Sequence, residues 1–149
     1  YLVDVGGEIL AKGKNPDGRY WRIGINKPVD DSTCTVNEIQ RIVELRDCGM
    51  ATSGDYRNYY LKDGKKYAHT INPKTGYPAG QDILSATVIA TETTIADAFA
   101  TAFMALGREK SRSLADKHPE LEYYFICRDS LGNFAVECSE GMKARLIPE

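Results

Sequence analysis

A hydrophobic, β-branched run from Leu84 to Ala90 passes almost directly into a helical pattern, Thr94 to Leu106, that stops at Gly107. A strand that delivers a helix of this length commits the chain to a layered fold, because each element has an apolar face to cover. Ile95, Phe99, Phe103 and Leu106 recur at helical spacing and are expected to face the core. Gly107 suits the residue that closes many helices.

The remaining segments read mainly as strands. Residues 2–5 form a strand-like run into Gly6-Gly7, and residues 20–25 form another after a turn at Asn15-Pro16-Asp17-Gly18. Residues 36–45 fit either a helix or a strand, and their β-branched content favours the strand. Residues 57–61 and 65–68 flank Lys62-Asp63-Gly64, a strong hairpin signal. A short polar helix is expected over residues 108–117, stopped by His118-Pro119. Residues 122–127 and 134–138 then make a closing hairpin. The expected fold class is α+β: a mainly antiparallel sheet packed with one principal helix and a short second helix, in a single domain over residues 1–149.

The composition is that of a globular chain, with 42% hydrophobic and 27% charged residues among 149. A net charge of −2 without a sustained basic run argues against a nucleic-acid surface. No apolar stretch reaches the ~20 residues that span a bilayer. Cys34, Cys48, Cys127 and Cys138 form no Cys-x-x-Cys pair, which argues against structural zinc. Cys127 and Cys138 fall on the two strands of the closing hairpin and are placed to face each other if the register allows. The opening Tyr1-Leu2-Val3-Asp4-Val5 has no Met and no signal segment, and reads as a piece of a longer protein.

Four segments bear chemistry. Asp97 and Thr101 lie four residues apart, hence about 40° apart on one helix face. Ala98, Ala100 and Ala105 flank them and are expected to leave room for another group. A carboxylate and a hydroxyl together suit a hard cation such as Mg²⁺, which fills its remaining positions with water or phosphate oxygens. The same residues also fit a plain helix start: Thr94 to Asp97 has capping-box spacing, and Thr101 can bond back to its own helix. Asp4-Val5-Gly6-Gly7-Glu8 is either a backbone cradle for a pyrophosphate or a β-bulge or tight turn. Ala51-Thr52-Ser53-Gly54-Asp55-Tyr56 reads as a loop offering phosphate and ribose contacts, or as a simple turn beside strand tyrosines. His69 ends a strand before the Pro- and Gly-rich loop 72–80, within reach of a reacting group or simply hydrogen-bonded in place. His118 reads as a solvated residue at a helix end.

Taken together and in order, Val3-Asp4-Val5-Gly6-Gly7, Ala51-Thr52-Ser53-Gly54-Asp55-Tyr56, His69-Thr70-Ile71-Asn72-Pro73-Lys74-Thr75-Gly76-Tyr77-Pro78 and Ala96-Asp97-Ala98-Phe99-Ala100-Thr101 closely resemble the ApbE family, flavin transferases that move FMN from FAD onto a protein. The resemblance runs from Tyr1 to about Gly107. It implies the C-terminal portion of a larger two-part α+β enzyme whose N-terminal half is absent here. The implied reaction is Mg²⁺-dependent: the FAD pyrophosphate is cleaved and FMN is joined by a phosphoester to a Thr or Ser of an acceptor protein. The alternatives are a Mg²⁺-dependent FAD pyrophosphatase releasing FMN and AMP, and a non-catalytic flavin-binding protein.

By the same resemblance Asp97 and Thr101 hold the metal, with a main-chain oxygen near Thr94 assisting. Gly6, Gly7, Ser53, Ala68 and His69 line the nucleotide site. His69 is the first candidate for proton transfer and Asp55 the second. The isolated piece is expected to be inactive. Family members often modify subunits of membrane-bound redox complexes, and many are lipoproteins facing the periplasm, anchored through the N-terminus. Lys12-Gly13 superficially echoes a Lys-Gly metal motif of the family's other half, but it follows Gly6-Gly7 and inherits no role.

Overall fold

The computed structural model describes residues 1–28, 38–54, 59–62, 65–68, 70–77, 79, 82–129 and 133–148. Along them run β1 (Leu2–Val5), β2 (Glu8–Ala11), β3 (Trp21–Asn26), β4 (Ile39–Leu45), β5 (Cys48–Gly54), β6 (Tyr59–Lys62), β7 (Lys65–Ala68) and β8 (Ile83–Ala90). They continue with α1 (Thr93–Leu106), α2 (Arg108–Ala115), β9 (Glu122–Arg128), β10 (Phe134–Cys138) and α3 (Glu140–Lys143). Six strands make one sheet in the order β1-β2-β5-β8-β9-β10, every neighbouring pair antiparallel. β3 pairs with β4, and β6 with β7, as separate two-stranded units.

β8 is central, and almost every residue in it is buried. That explains its continuous apolar run, since both faces of the strand are covered. Ile83, Ala86, Val88 and Ala90 point toward the helices, whereas Ile89 points to the opposite face. An irregularity in the pairing with β9 between Ile83 and Ser85 shifts the alternation, so Ile83 and Ala86 share one face.

The helices cover one face of the sheet. α1 rests on it through Ala96, Ala100, Phe103 and Met104. Phe103 is fully buried, with its ring centroid 5.2 Å from that of Phe125 and 5.8 Å from that of Phe99. Burying a side chain of this size contributes roughly 1.5–3 kcal/mol. The opposite face is covered by Ile25, Val43 and Leu45 of β3–β4 and by Met142 of α3. The chain after α3 extends this layer: Leu146 bridges Val43, and the Ile147 N–H donates to the Ile42 carbonyl at 2.9 Å.

The α+β class and the principal and short helices are as the sequence implies. The sequence reading had no place for β2, for the start of β5 or for α3. Two further expectations change. Ile95 is 37% exposed, because the first turns of the helix set Ala96 and Ala100 on the sheet; Phe103 is buried as expected and Phe99 is half-buried against the core, while Leu106 is half-buried. Cys127 pairs with Ala135 and Cys138 with Tyr124, so the two are offset along the ladder. Cys48, Cys127 and Cys138 are free thiols, and burial pushes that of Cys127 up to about 11. Cys34 lies outside the described residues.

At the far corner, Glu137 of β10 receives Arg108 Nε at 2.6 Å, Arg112 Nε at 2.6 Å and Arg112 Nη2 at 2.8 Å. The hydrogen bonds from Arg112, then those from Arg108, hold its carboxyl below the usual range against the opposing effect of burial.

Candidate functional site

The site is built on α1, and α1 is placed by β5. Gly49 lies under the first residue of the helix, where a Cβ would sit 2.6 Å from Thr93 Cα. Only a residue without a side chain allows that approach. The Thr93 hydroxyl then donates to the Ile9 carbonyl of β2 at 3.1 Å, fixing the helix start over the sheet. From there α1 runs back against β8 and therefore along β5, toward Ser53.

The helix opens with Glu92 as its N-cap, and no side chain caps it. The Thr94–Asp97 capping box is therefore not formed, and both side chains are exposed. Thr94, Asp97 and Thr101 fall at i, i+3 and i+7, one stripe of the helix surface. Thr101 Oγ1 lies 3.1 Å from Ser53 Oγ at the end of β5. Asp97 has no ion pair or hydrogen bond among the described residues, although Lys and Arg are plentiful in the chain. Of the small residues expected beside this stripe, Ala100 instead turns into the core, while Ala98 is exposed and Ala105 half-buried.

Ser53 and Gly54 are strand residues rather than part of a loop. β5 pairs Ser53 with Ala86 and Gly54 with Ser85. Thr52, on the other face, lies 2.9 Å from the Thr87 hydroxyl, hydroxyl to hydroxyl. The sequence missed this because the apolar start of the strand, Cys48-Gly49-Met50-Ala51, contains a glycine that reads as a break.

Gly6 and Gly7 make the turn between β1 and β2, with φ of 69° and 107°. The Gly7 N–H donates to Asp4 Oδ1 at 2.9 Å, so one amide of the proposed cradle is used within the turn. Because Ile9 pairs with Met50, this turn lies at the end of the sheet toward which β5 runs to Ser53. Ala68 ends β7. His69 and Asp55 lie outside the described residues. The loop that follows His69 is tied by Asn72, whose carbonyl accepts the Gly76 N–H at 2.8 Å and whose Oδ1 accepts the Lys74 N–H at 2.9 Å. His118 is not simply solvated: its ring packs edge-on at 4.9 Å against Phe99, and Nδ1 lies 3.0 Å from Glu120 Oε1.

The donor set on α1 is hard: one carboxylate with hydroxyl oxygens, exposed to solvent. That chemistry fits Mg²⁺, which accepts few protein ligands and completes its shell with water or phosphate. Among the described residues no three His, Cys, Asp or Glu side chains are grouped to hold a metal, so a cation here would rest on Asp97.

Known proteins resemble the chain in both sequence and fold. The ApbE family profile matches residues 1–125. The FAD:protein FMN transferase of Haemophilus influenzae is 41% identical over 143 residues, 96% of this chain and 40% of the relative. That of Escherichia coli K12 is 39% identical over 149 residues, 100% of this chain and 41% of the relative. Among solved structures, the flavin transferase ApbE from Vibrio cholerae superposes with a TM-score of 0.78 at 37% identity, covering 97% of this chain and 43% of that one. The chain belongs to the ApbE family. It spans about two-fifths of the length of these curated relatives.

Proposed function

We propose that the full-length protein is a Mg²⁺-dependent FAD:protein FMN transferase, of which this chain is the C-terminal portion. The observation that supports this most is the Asp97 carboxylate, unpaired among the described residues, on one stripe with Thr101, whose hydroxyl meets Ser53 at 3.1 Å, in a chain with this family membership. When bound, Mg²⁺ would neutralise charge on the FAD pyrophosphate, the main need of phosphoryl chemistry.

Asp97 supplies the formal charge that holds the cation, and Thr101 sets geometry without adding charge. Thr94 contributes through its main chain at the start of the helix. Gly6, Gly7, Ser53, Ala68 and His69 frame the nucleotide. His69 accepts the proton of the acceptor Thr or Ser, with Asp55 as the second candidate. A positioned base of this kind is worth roughly 10²–10⁴-fold. The acceptor oxygen forms a bond to the FMN phosphorus, the pyrophosphate P–O bond breaks, and AMP leaves. The acceptor is a subunit of a membrane redox complex, met at the periplasmic face by a lipid-anchored enzyme.

Incubating the full-length protein with FAD, Mg²⁺ and an acceptor carrying the target Thr should place covalent flavin fluorescence on the acceptor. Release of FMN and AMP without labelling would establish the pyrophosphatase instead. Absence of turnover would leave a flavin-binding protein.

A further inference from the structure

We propose that Ser53 is a positioning residue for the metal: it accepts a hydrogen bond from the Thr101 hydroxyl and thereby turns an oxygen lone pair of Thr101 toward the cation. This rests on the reading of Asp97 and Thr101 as metal ligands. Each hydroxyl has one donor and two acceptor sites. At 3.1 Å, the Ser53–Thr101 pair admits two arrangements, with either residue as donor. If Ser53 donates, one Thr101 lone pair is consumed and the Thr101 proton is left to find another direction, including that of the cation. If Thr101 donates, its proton is held away and its lone pairs stay available. A positive charge beside Thr101 selects the second arrangement.

Ser53 is suited to this task because its oxygen is held by the sheet. Its backbone is in register with Ala86 of the buried central strand, and its neighbours Thr52 and Gly54 pair with Thr87 and Ser85. Thr101 by contrast is an exposed helical threonine with an alternative partner in its own helix, the carbonyl four residues back. Ser53 draws the hydroxyl outward from that carbonyl. Partners of this kind, which orient a ligand without touching the metal, typically change affinity by about 10–100-fold.

The test is a Mn²⁺ titration of the full-length protein, read by the electron paramagnetic resonance of the free ion. Asp97→Asn, Thr101→Val, Ser53→Ala, Ser53→Thr and the double variant Ser53→Ala/Thr101→Val are compared. Ser53→Ala should weaken Mn²⁺ binding by about tenfold, the lower end for such a partner because Thr101 is a neutral ligand. Thr101→Val should lose a similar factor, and the double variant should lose no more than either single one, since both remove the same interaction. Ser53→Thr, which keeps the hydroxyl, should restore wild-type binding, a rescue that a general packing role would not give. Wild-type affinity in Ser53→Ala, with binding abolished in Asp97→Asn, overturns the positioning role and leaves the metal reading intact. Losses that multiply in the double variant do the same. Wild-type affinity in Asp97→Asn overturns the metal reading itself, and the positioning role with it.

Discussion

Two carboxylates on the helix-covered part of this molecule have opposite surroundings. Glu137 is held by two arginines at 2.6 Å each, and its charge is spent on joining α2 to β10. Asp97 has no cationic partner among the described residues and has hydroxyl-bearing residues along its stripe. A carboxylate already neutralised by arginine has little left for a metal, whereas an unpaired one beside neutral oxygen donors keeps its full charge for a cation. The first arrangement serves the fold and the second is available for chemistry.

The largest expected effect follows from removing the free charge. Asp97→Asn should lower FMN transfer by the full-length protein by on the order of 10²–10³-fold, the scale seen when a charge-stabilising group is lost. Its melting temperature should stay close to wild type, because no described residue pairs with that carboxylate. A large thermal shift with intact transfer would reverse the comparison.

Gly49→Ala attacks the same site from beneath. The added methyl collides with the Thr93 backbone, which must lift α1 and break the bond from Thr93 to Ile9. We expect a destabilisation of roughly 1–3 kcal/mol, as for other overpacked positions, with weakened metal binding and an unchanged Arg112–Glu137 corner. Urea unfolding alongside Mn²⁺ titration measures both.

The smallest effect belongs to the paired carboxylate. The folded-state pKa of Glu137 is depressed below its ordinary 4.5, so its stabilising contribution is complete above that pH and is lost as the pH falls through the lower folded value. Glu137→Gln should therefore melt a few degrees lower than wild type at neutral pH, and the gap should close on acidification below about 4.5. Transfer activity should not change. A gap independent of pH would show that the ion pair contributes nothing.

Much of this was legible along the chain. The buried run of β8, the helix ending at Gly107, the hairpin of β9 and β10 and the Asp97–Thr101 spacing are local patterns, set by residues within a few positions of one another. The sense of the Gly6-Gly7 turn is local too, since two successive positive φ angles favour glycine. The same locality misplaced other residues. Periodicity assigned Ile95 to the core because it is a large apolar side chain, and it is exposed, whereas Phe99 packs against the core as expected. The helix instead settles on Ala96 and Ala100, since the sheet beneath it offers Gly49 and Ala51 and rewards close approach.

The sequence alone determined the fold class, most of the elements and the residue types: an α+β chain, a helix bearing one carboxylate and hydroxyls on one stripe, and the motifs of a flavin transferase family. Only the tertiary structure decided what those residues meet. Ser53 and Thr101 are 48 positions apart, and no local signal pairs them. They come together because antiparallel pairing of β5 with β8 fixes one hydroxyl, and the glycine under Thr93 sets the rotation and height of the helix that presents the other. Periodicity says which residues share a face; contact between faces depends on packing, which sums over the whole sheet.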